Sequence, residues 1–275
     1  MRKFEDFDYW FLYKNCNEHS VVMKDTKEYV CTINNKTLEI TDARDSMIDD
    51  IREDFITYTC RDEYLVGKRA DVAKNTLSEL KTFYEKLLNG VNKIKMYKNG
   101  LNPDDYEIAE AIEWLRSTDF FRAPASTVFH ESHDGGLLIH SLSVYNSMLD
   151  LIQIPEFESV TIESATLCCL THDWCKINLY KKYKRNVKNE DTGKWEQVDS
   201  FKRGEFEFPL GHGATSMYIV MKHFELSDEE ALAIRWHQGR WNVCELELSE
   251  FSSAAHNYPM VNLLQFADQL AVTNY

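Results

Sequence analysis

An apolar run closes on Leu170-Thr171-His172-Asp173, which sets an imidazole and a carboxylate side by side. Two side chains that both offer metal-binding lone pairs cannot both be core. His140 stands upstream, and His212, His237 and Asp268 follow, each beside or inside a stretch that reads as helix. A dinuclear hydrolytic centre needs imidazoles and carboxylates from several rigid helices, one bridging carboxylate, and open positions for water and phosphate. These six residues supply that set. The doublet puts His172 on one metal and Asp173 between two, provided that the helix ends there. A lone histidine is more often core or surface than ligand, so the reading rests on the joint pattern.

The elements that must position these residues are nearly all helical. After Asn102-Pro103, helices are expected over Pro103 to Arg116, Leu137 to Ile152 behind Gly135-Gly136, Val160 to His172, His212 to Phe224, Ser227 to His237, and from Asn257 or Pro259 through Asp268. Between His172 and His212, Lys181 to Val187 and Trp195 to Phe201 alternate polar and apolar around Asp191-Thr192-Gly193, which predicts a two-stranded flap. Residues 1–98 read as a small α+β extension and 99–275 as the domain that carries the site. In the extension, an aromatic cluster from Phe4 to Tyr13 is expected to pack. Tyr29 to Ile33 and Thr37 to Thr41 predict a hairpin. Met47, Ile48, Ile51 and Phe55 recur at helical spacing, and a second helix is expected from Asp71 to Asn89 with Gly90 as its stop.

Charge narrows the ligand. The 275 residues carry a formal net charge of -14, which argues against a general duplex binder, since such proteins present a basic face to phosphates. Yet nine Lys or Arg fall between Lys176 and Arg203. A basic segment on an acidic body suits a small or single-stranded phosphorylated ligand. The seven cysteines form no Cys-x-x-Cys pair and read as reduced thiols. With no signal-like start and no apolar run near ~18 residues, the expectation is a cytoplasmic protein that does not enter the membrane.

The order His140, His172-Asp173, His212, His237, Asp268 resembles the HD-domain superfamily of metal-dependent phosphohydrolases. The run His130-Glu-Ser-His133-Asp-Gly-Gly-Leu-Leu-Ile-His140-Ser-Leu-Ser-Val is similar to the branch with the YhaM-type exoribonucleases and related bacterial and phage hydrolases. Phe120 to Thr127, Pro209 to Gly213 and Ala233 to His237 carry the same likeness. The resemblance spans about residues 104 to 274 and implies a helical bundle in a bacterial or phage-encoded protein. It also implies His140, His172, Asp173 and Asp268 as the basic ligand set, with His212 and His237 completing a second metal position. Cys175 stands where the His-Asp-x-Gly-Lys form has glycine. Residues 1–98 do not look like the oligonucleotide-binding domain that accompanies YhaM-type enzymes.

The function so implied is hydrolysis of a phosphate ester or anhydride in a nucleotide or short oligonucleotide. Two divalent ions, with Mn, Fe, Mg, Ni and Zn undistinguished, would lower the pKa of a bridging water to about 7 for in-line attack. Asp173 would orient that water. Lys176 matches the lysine of the HD-x-x-K form and would neutralise phosphate, although a solvated charge at a helix end competes. His130 matches the branch's loop histidine and is the preferred proton donor to the leaving oxygen, with His133 as a further substrate contact. Two rival readings stand beside this one: an HD-type diiron oxygenase with the same six ligands, and a catalytically silent metal- or nucleotide-binding module.

Overall fold

The computed structural model describes residues 9–15, 18–23, 26, 28–34, 39–41, 51, 55, 69–98, 109–157, 159–205 and 208–273. The chain forms two compact units, Met1–Val66 with Gly90–Glu107, and Gly67–Asn89 with Ile108–Tyr275. The boundary expected at 98/99 falls within the 90–107 segment of the first. Among the described residues the protein is mainly α-helical with two small antiparallel sheets. None of the described helices is long and apolar enough to cross a membrane.

In the first unit, β1 (Tyr9–Asn15), β2 (Glu18–Met23), β3 (Tyr29–Asn34) and β4 (Ile40–Thr41) form an antiparallel meander in sequence order. The expected hairpin is the β3–β4 pair, with Ile33 opposite Ile40. Val21, Cys31 and Ile33 are fully buried. The aromatic run from Tyr9 to Tyr13 is strand β1, while Phe4 and Phe7 lie outside the described residues. So do Met47 and Ile48, whereas Ile51 and Phe55 are helical and buried.

Helix α1 (Leu77–Lys98) begins in the second unit and ends in the first. It starts later than expected because Thr76 and Glu79 form a reciprocal cap. The Thr76 hydroxyl accepts from the Glu79 N–H at 3.3 Å, and the Glu79 carboxylate accepts from the Thr76 N–H at 2.8 Å. It also runs through Gly90. Leu80, Tyr84, Leu87, Leu88, Val91 and Ile94 keep one buried stripe across that glycine, which outweighs its helix penalty of about 1 kcal/mol.

The second unit is the helical body: α2 (Glu110–Ser117), α3 (Gly136–Leu151), α4 (Ile162–Thr171), α5 (His212–Val220), α6 (Asp228–Trp236), α7 (Leu248–Asn257) and α8 (Pro259–Thr273). Helix α8 packs on α3, α6 and α4, α3 also packs on α4, and α5 packs on α6. The flap is a hairpin of β5 (Tyr180–Lys188) and β6 (Trp195–Arg203). Helix α7 is an element that the sequence reading did not anticipate. It has two buried residues, Phe251 and Ala254, and so offers little apolar periodicity.

Candidate metal centre

Each of the six expected ligands stands at a helix end or on an inward helix face, and local chemistry explains most of these positions. Helix α4 starts on Thr161, whose side chain accepts from the Ser164 N–H, and ends with His172 as its C-cap. Asp173 then leaves helical geometry (φ -107, ψ 19), and a short 3-10 turn, Trp174–Lys176, follows. That turn is buried and pinned. The Trp174 indole N–H donates to the Leu170 carbonyl and the Tyr84 hydroxyl, both at 3.1 Å, and the Cys175 N–H donates to Ser216 Oγ at 3.1 Å. Helix α6 begins with a capping box on Ser227 and Glu230, and the same Glu230 accepts from Ser164 Oγ at 2.8 Å. This bond ties α4 to α6, whose C-terminal caps are His172 and His237.

Two glycines permit close approaches that bring ligands together. A Cβ on Gly213 would lie 2.1 Å from the Arg235 carbonyl oxygen, so α5 can meet α6 at backbone distance only because residue 213 has no side chain. The His212 and His237 rings consequently lie 5.1 Å apart. A Cβ on Gly136 would lie 2.0 Å from the Glu131 carbonyl oxygen, which fixes the histidine loop against the start of α3, one turn before His140.

The six side chains converge. Asp173 Oδ2 faces His140 Nε2 at 3.4 Å and His172 Nε2 at 3.3 Å, while Oδ1 faces His212 Nε2 at 2.8 Å and His237 Nε2 at 3.6 Å. Asp268 Oδ1 lies 3.1 Å from His140 Nε2 and 4.0 Å from His172 Nε2. All six are buried except Asp268, whose side chain is 21% exposed, and His212, whose side chain is 11% exposed. The far nitrogens are anchored: His172 Nδ1 donates to the Cys169 carbonyl at 2.9 Å and His237 Nδ1 to the Ile234 carbonyl at 2.8 Å. Such bonds hold the tautomer whose Nε2 lone pair points into the cluster, as in imidazole ligation of a metal. These groups can hold a metal ion.

The charges of the centre balance within it when it carries no cation. Burial alone would depress His140, but its bonds to Asp173 and Asp268 prevail and its pKa rises to about 9. Burial would raise Asp173, yet Lys176 and His172 hold its carboxyl well below the usual range. His140 does the same to Asp268 against the burial of that group. Burial outweighs Asp173 at His212, whose pKa falls to about 4. Lys176 is nine-tenths buried with Nζ 2.6 Å from Asp173 Oδ2, so its ammonium is part of the centre rather than a solvated helix-end charge. Opposing its own burial, Asp173 raises its pKa.

The two loop histidines part company. His130 stacks toward His140 at 4.9 Å, and among the described residues its Nε2 is buried without a hydrogen-bond partner. Burial, helped by the charges of His140 and Lys176, lowers its pKa to about 4. His133 is exposed, its Nε2 paired with Glu131 and its Nδ1 3.0 Å from the Asp134 carbonyl. One neighbour went unread in the sequence: Cys175 Sγ lies 3.4 Å from His212 Nδ1. Burial and Asp173 push this thiol up to about 12, so it stays protonated beside the imidazole. No protein-family model matches the chain, and comparison with curated proteins and with solved structures yields no match either.

Proposed function

We propose that the chain is an HD-type, divalent-metal-dependent phosphohydrolase or phosphodiesterase that acts on a nucleotide or short oligonucleotide. The observation that carries the reading is the division of Asp173. Its Oδ2 faces His140 and His172 and its Oδ1 faces His212 and His237, at 2.8 to 3.6 Å, which would suit a carboxylate shared by two cations. His140, His172, Asp173 and Asp268 would hold one ion, and His212, His237 and the second oxygen of Asp173 the other.

Bound there, divalent ions supply Lewis acidity and a water acidic enough to serve as nucleophile near neutral pH. The remaining tasks fall to the protein. The Cys169 and Ile234 carbonyls keep His172 and His237 in the ligating tautomer. Lys176 spends one N–H on Asp173 and has two more donors for phosphoryl oxygens in a buried, low-dielectric position, where such bonds count for most. His130, whose ring lies 4.9 Å from that of His140 and whose Nε2 has no partner among the described residues, is the group that would exchange a proton with the leaving oxygen. That buried ammonium favours an anionic substrate.

Metal analysis of the purified protein, followed by turnover of deoxynucleoside triphosphates, cyclic nucleotides and short single-stranded RNA and DNA, tests the reading. Release of phosphate or nucleoside monophosphate with about two metal equivalents supports it. Oxygen uptake with bound iron favours the oxygenase, and an intact panel with both metals present leaves a binding module.

A further inference from the structure

We propose that one face of the β5–β6 hairpin, built by Lys181, Lys202, Tyr183 and Arg185, binds a single-stranded nucleic acid through its phosphates and one stacked base. The inference rests on the phosphohydrolase reading above and narrows its substrate from a free nucleotide to an oligonucleotide strand.

The pairing register sorts the hairpin's side chains. Residues directly opposite in an antiparallel pair share a face, and alternate positions along each strand return to it. Lys181 opposes Lys202, Tyr183 opposes Ser200, Arg185 opposes Val198 and Val187 opposes Glu196, so these residues form one stripe. Lys181, Lys202 and Arg185 are exposed, and among the described residues none of the three has a carboxylate partner. Like charges directly opposite on two strands destabilise a sheet. Lys181 and Lys202 are such a pair, and an anion that bridges the two ammonium groups reverses the sign of their contribution. On the opposite face the cations nearest the root are already compensated: Lys182 lies 3.0 Å from Asp134 and 3.4 Å from Asp199, and Lys184 lies 2.5 Å from Asp199.

The aromatic ring set between these cations selects a single strand over other polyanions. Tyr183 is 39% exposed and stands between Lys181 and Arg185 along β5. Neighbours on one face of a strand are about 7 Å apart, close to the phosphate repeat of an extended polynucleotide. Any unpaired base can stack on such a ring, and a guanidinium adds to the stack, whereas a duplex keeps its base faces covered. The stripe is short. Glu196, whose carboxylate accepts from Asn189 Nδ2 at 3.0 Å, closes its outer end, so it matches a few nucleotides rather than a long polymer. Its inner end is firmly held, since the Leu179 N–H donates to the Lys176 carbonyl at 3.2 Å and the Gly204 N–H to the Leu179 carbonyl at 2.8 Å.

The test is fluorescence anisotropy of a short, labelled oligothymidylate with the full chain in chelator, which halts turnover, over a range of salt concentrations. The wild type is expected to bind with a slope of log affinity against log salt of about -2, the value for three cations at about 0.7 each on a single strand. Lys181→Gln with Lys202→Gln should reduce the slope to about -0.7, and Arg185→Gln alone should reduce it by about 0.7. Tyr183→Ala should weaken binding about tenfold at unchanged slope, and Lys184→Gln, on the compensated face, should stay within about twofold of the wild type. Thermal midpoints no lower than that of the wild type serve as fold controls. No binding at low salt, a duplex of the same length bound as tightly, or a slope that survives both charge variants overturns the nucleic-acid face. Each of these outcomes leaves the phosphohydrolase reading standing for free nucleotides, because metal content and turnover decide that reading separately.

Discussion

The Nε2 atoms of His140 and His172 lie 3.3 Å apart, each within 3.4 Å of the same carboxylate oxygen of Asp173. A proton on His140 lets these two nitrogens share a hydrogen bond, and without that proton the same two lone pairs, turned toward one point, suit a cation. Adding manganese to the chelated protein is accordingly expected to stabilise it. At a hundred times the dissociation constant the gain is about 2.7 kcal/mol, which in a chain of this size raises the thermal midpoint by roughly 5 to 10 °C. Differential scanning fluorimetry with and without chelator measures it, and no shift with any divalent ion would count against a metal centre.

Asp173 and His237 separate in their effects on stoichiometry. Asp173 faces both groups of imidazoles, whereas His237 faces only Oδ1. Asp173→Ala is expected to abolish stable binding at both positions, and His237→Ala to leave about one equivalent, as read by elemental analysis after desalting. Activity should fall in both by more than about a hundredfold, a loss that even outer partners of metal sites reach.

The chelated protein should have a stability maximum near neutral pH. The folded pKa of His140 is about 9, above its unfolded value, so its contribution is complete below roughly pH 6.5 and is lost as pH rises through 9. His130 and His212 are depressed to about 4, so the unfolded chain binds more protons between that value and roughly pH 6.5, and stability falls there on acidification. Asp173 and Asp268 add to the acid loss, since both are held below the ordinary carboxylate range. Thermal midpoints from pH 4 to 10 should therefore fall on both sides of neutrality, and His140→Gln should flatten the alkaline limb and also weaken the acid limb, since His140 helps to hold Asp268 and His130 low.

Gly213→Ala should damage the centre without touching a ligand. Its Cβ would be 2.1 Å from the Arg235 carbonyl, so α5 must shift from α6 and part His212 from His237. Overpacking of this kind costs about 1 to 3 kcal/mol. Reduced metal content at a temperature where circular dichroism still shows a folded chain is the expected result.

How far the sequence reveals all this depends on the range of the interaction concerned. The His172-Asp173 pair was legible because adjacency alone makes it odd, and His140, His212, His237 and Asp268 because each flanks a clear helix signal. The flap was legible because two strand-like runs flank the Asp191-Thr192-Gly193 turn, although most positions of the two strands are exposed rather than alternating. Helix α7 was not, since only Phe251 and Ala254 of it are buried. Gly90 misled because a local propensity is outvoted by a buried stripe. The preference for His130 over His133 comes from its place in the resemblance, whereas the contact of Cys175 with His212 and the tie from Ser164 to Glu230 join residues that only tertiary packing brings together, so no spacing rule contains them.

The division of Asp173 also carries a thermodynamic consequence. In the proposed centre, a cation held by His140, His172 and Asp173 would withdraw charge from the whole Asp173 carboxylate and would also fix the orientation in which it meets His212 and His237. The first effect would oppose a second ion and the second assist it, so occupancy of the two proposed positions would be linked, and by reciprocity each would change the affinity of the other by the same factor. Titration with a single metal should thus trace a two-step isotherm whose separation measures that coupling, and the His237→Ala protein, which keeps one position, should show a single step.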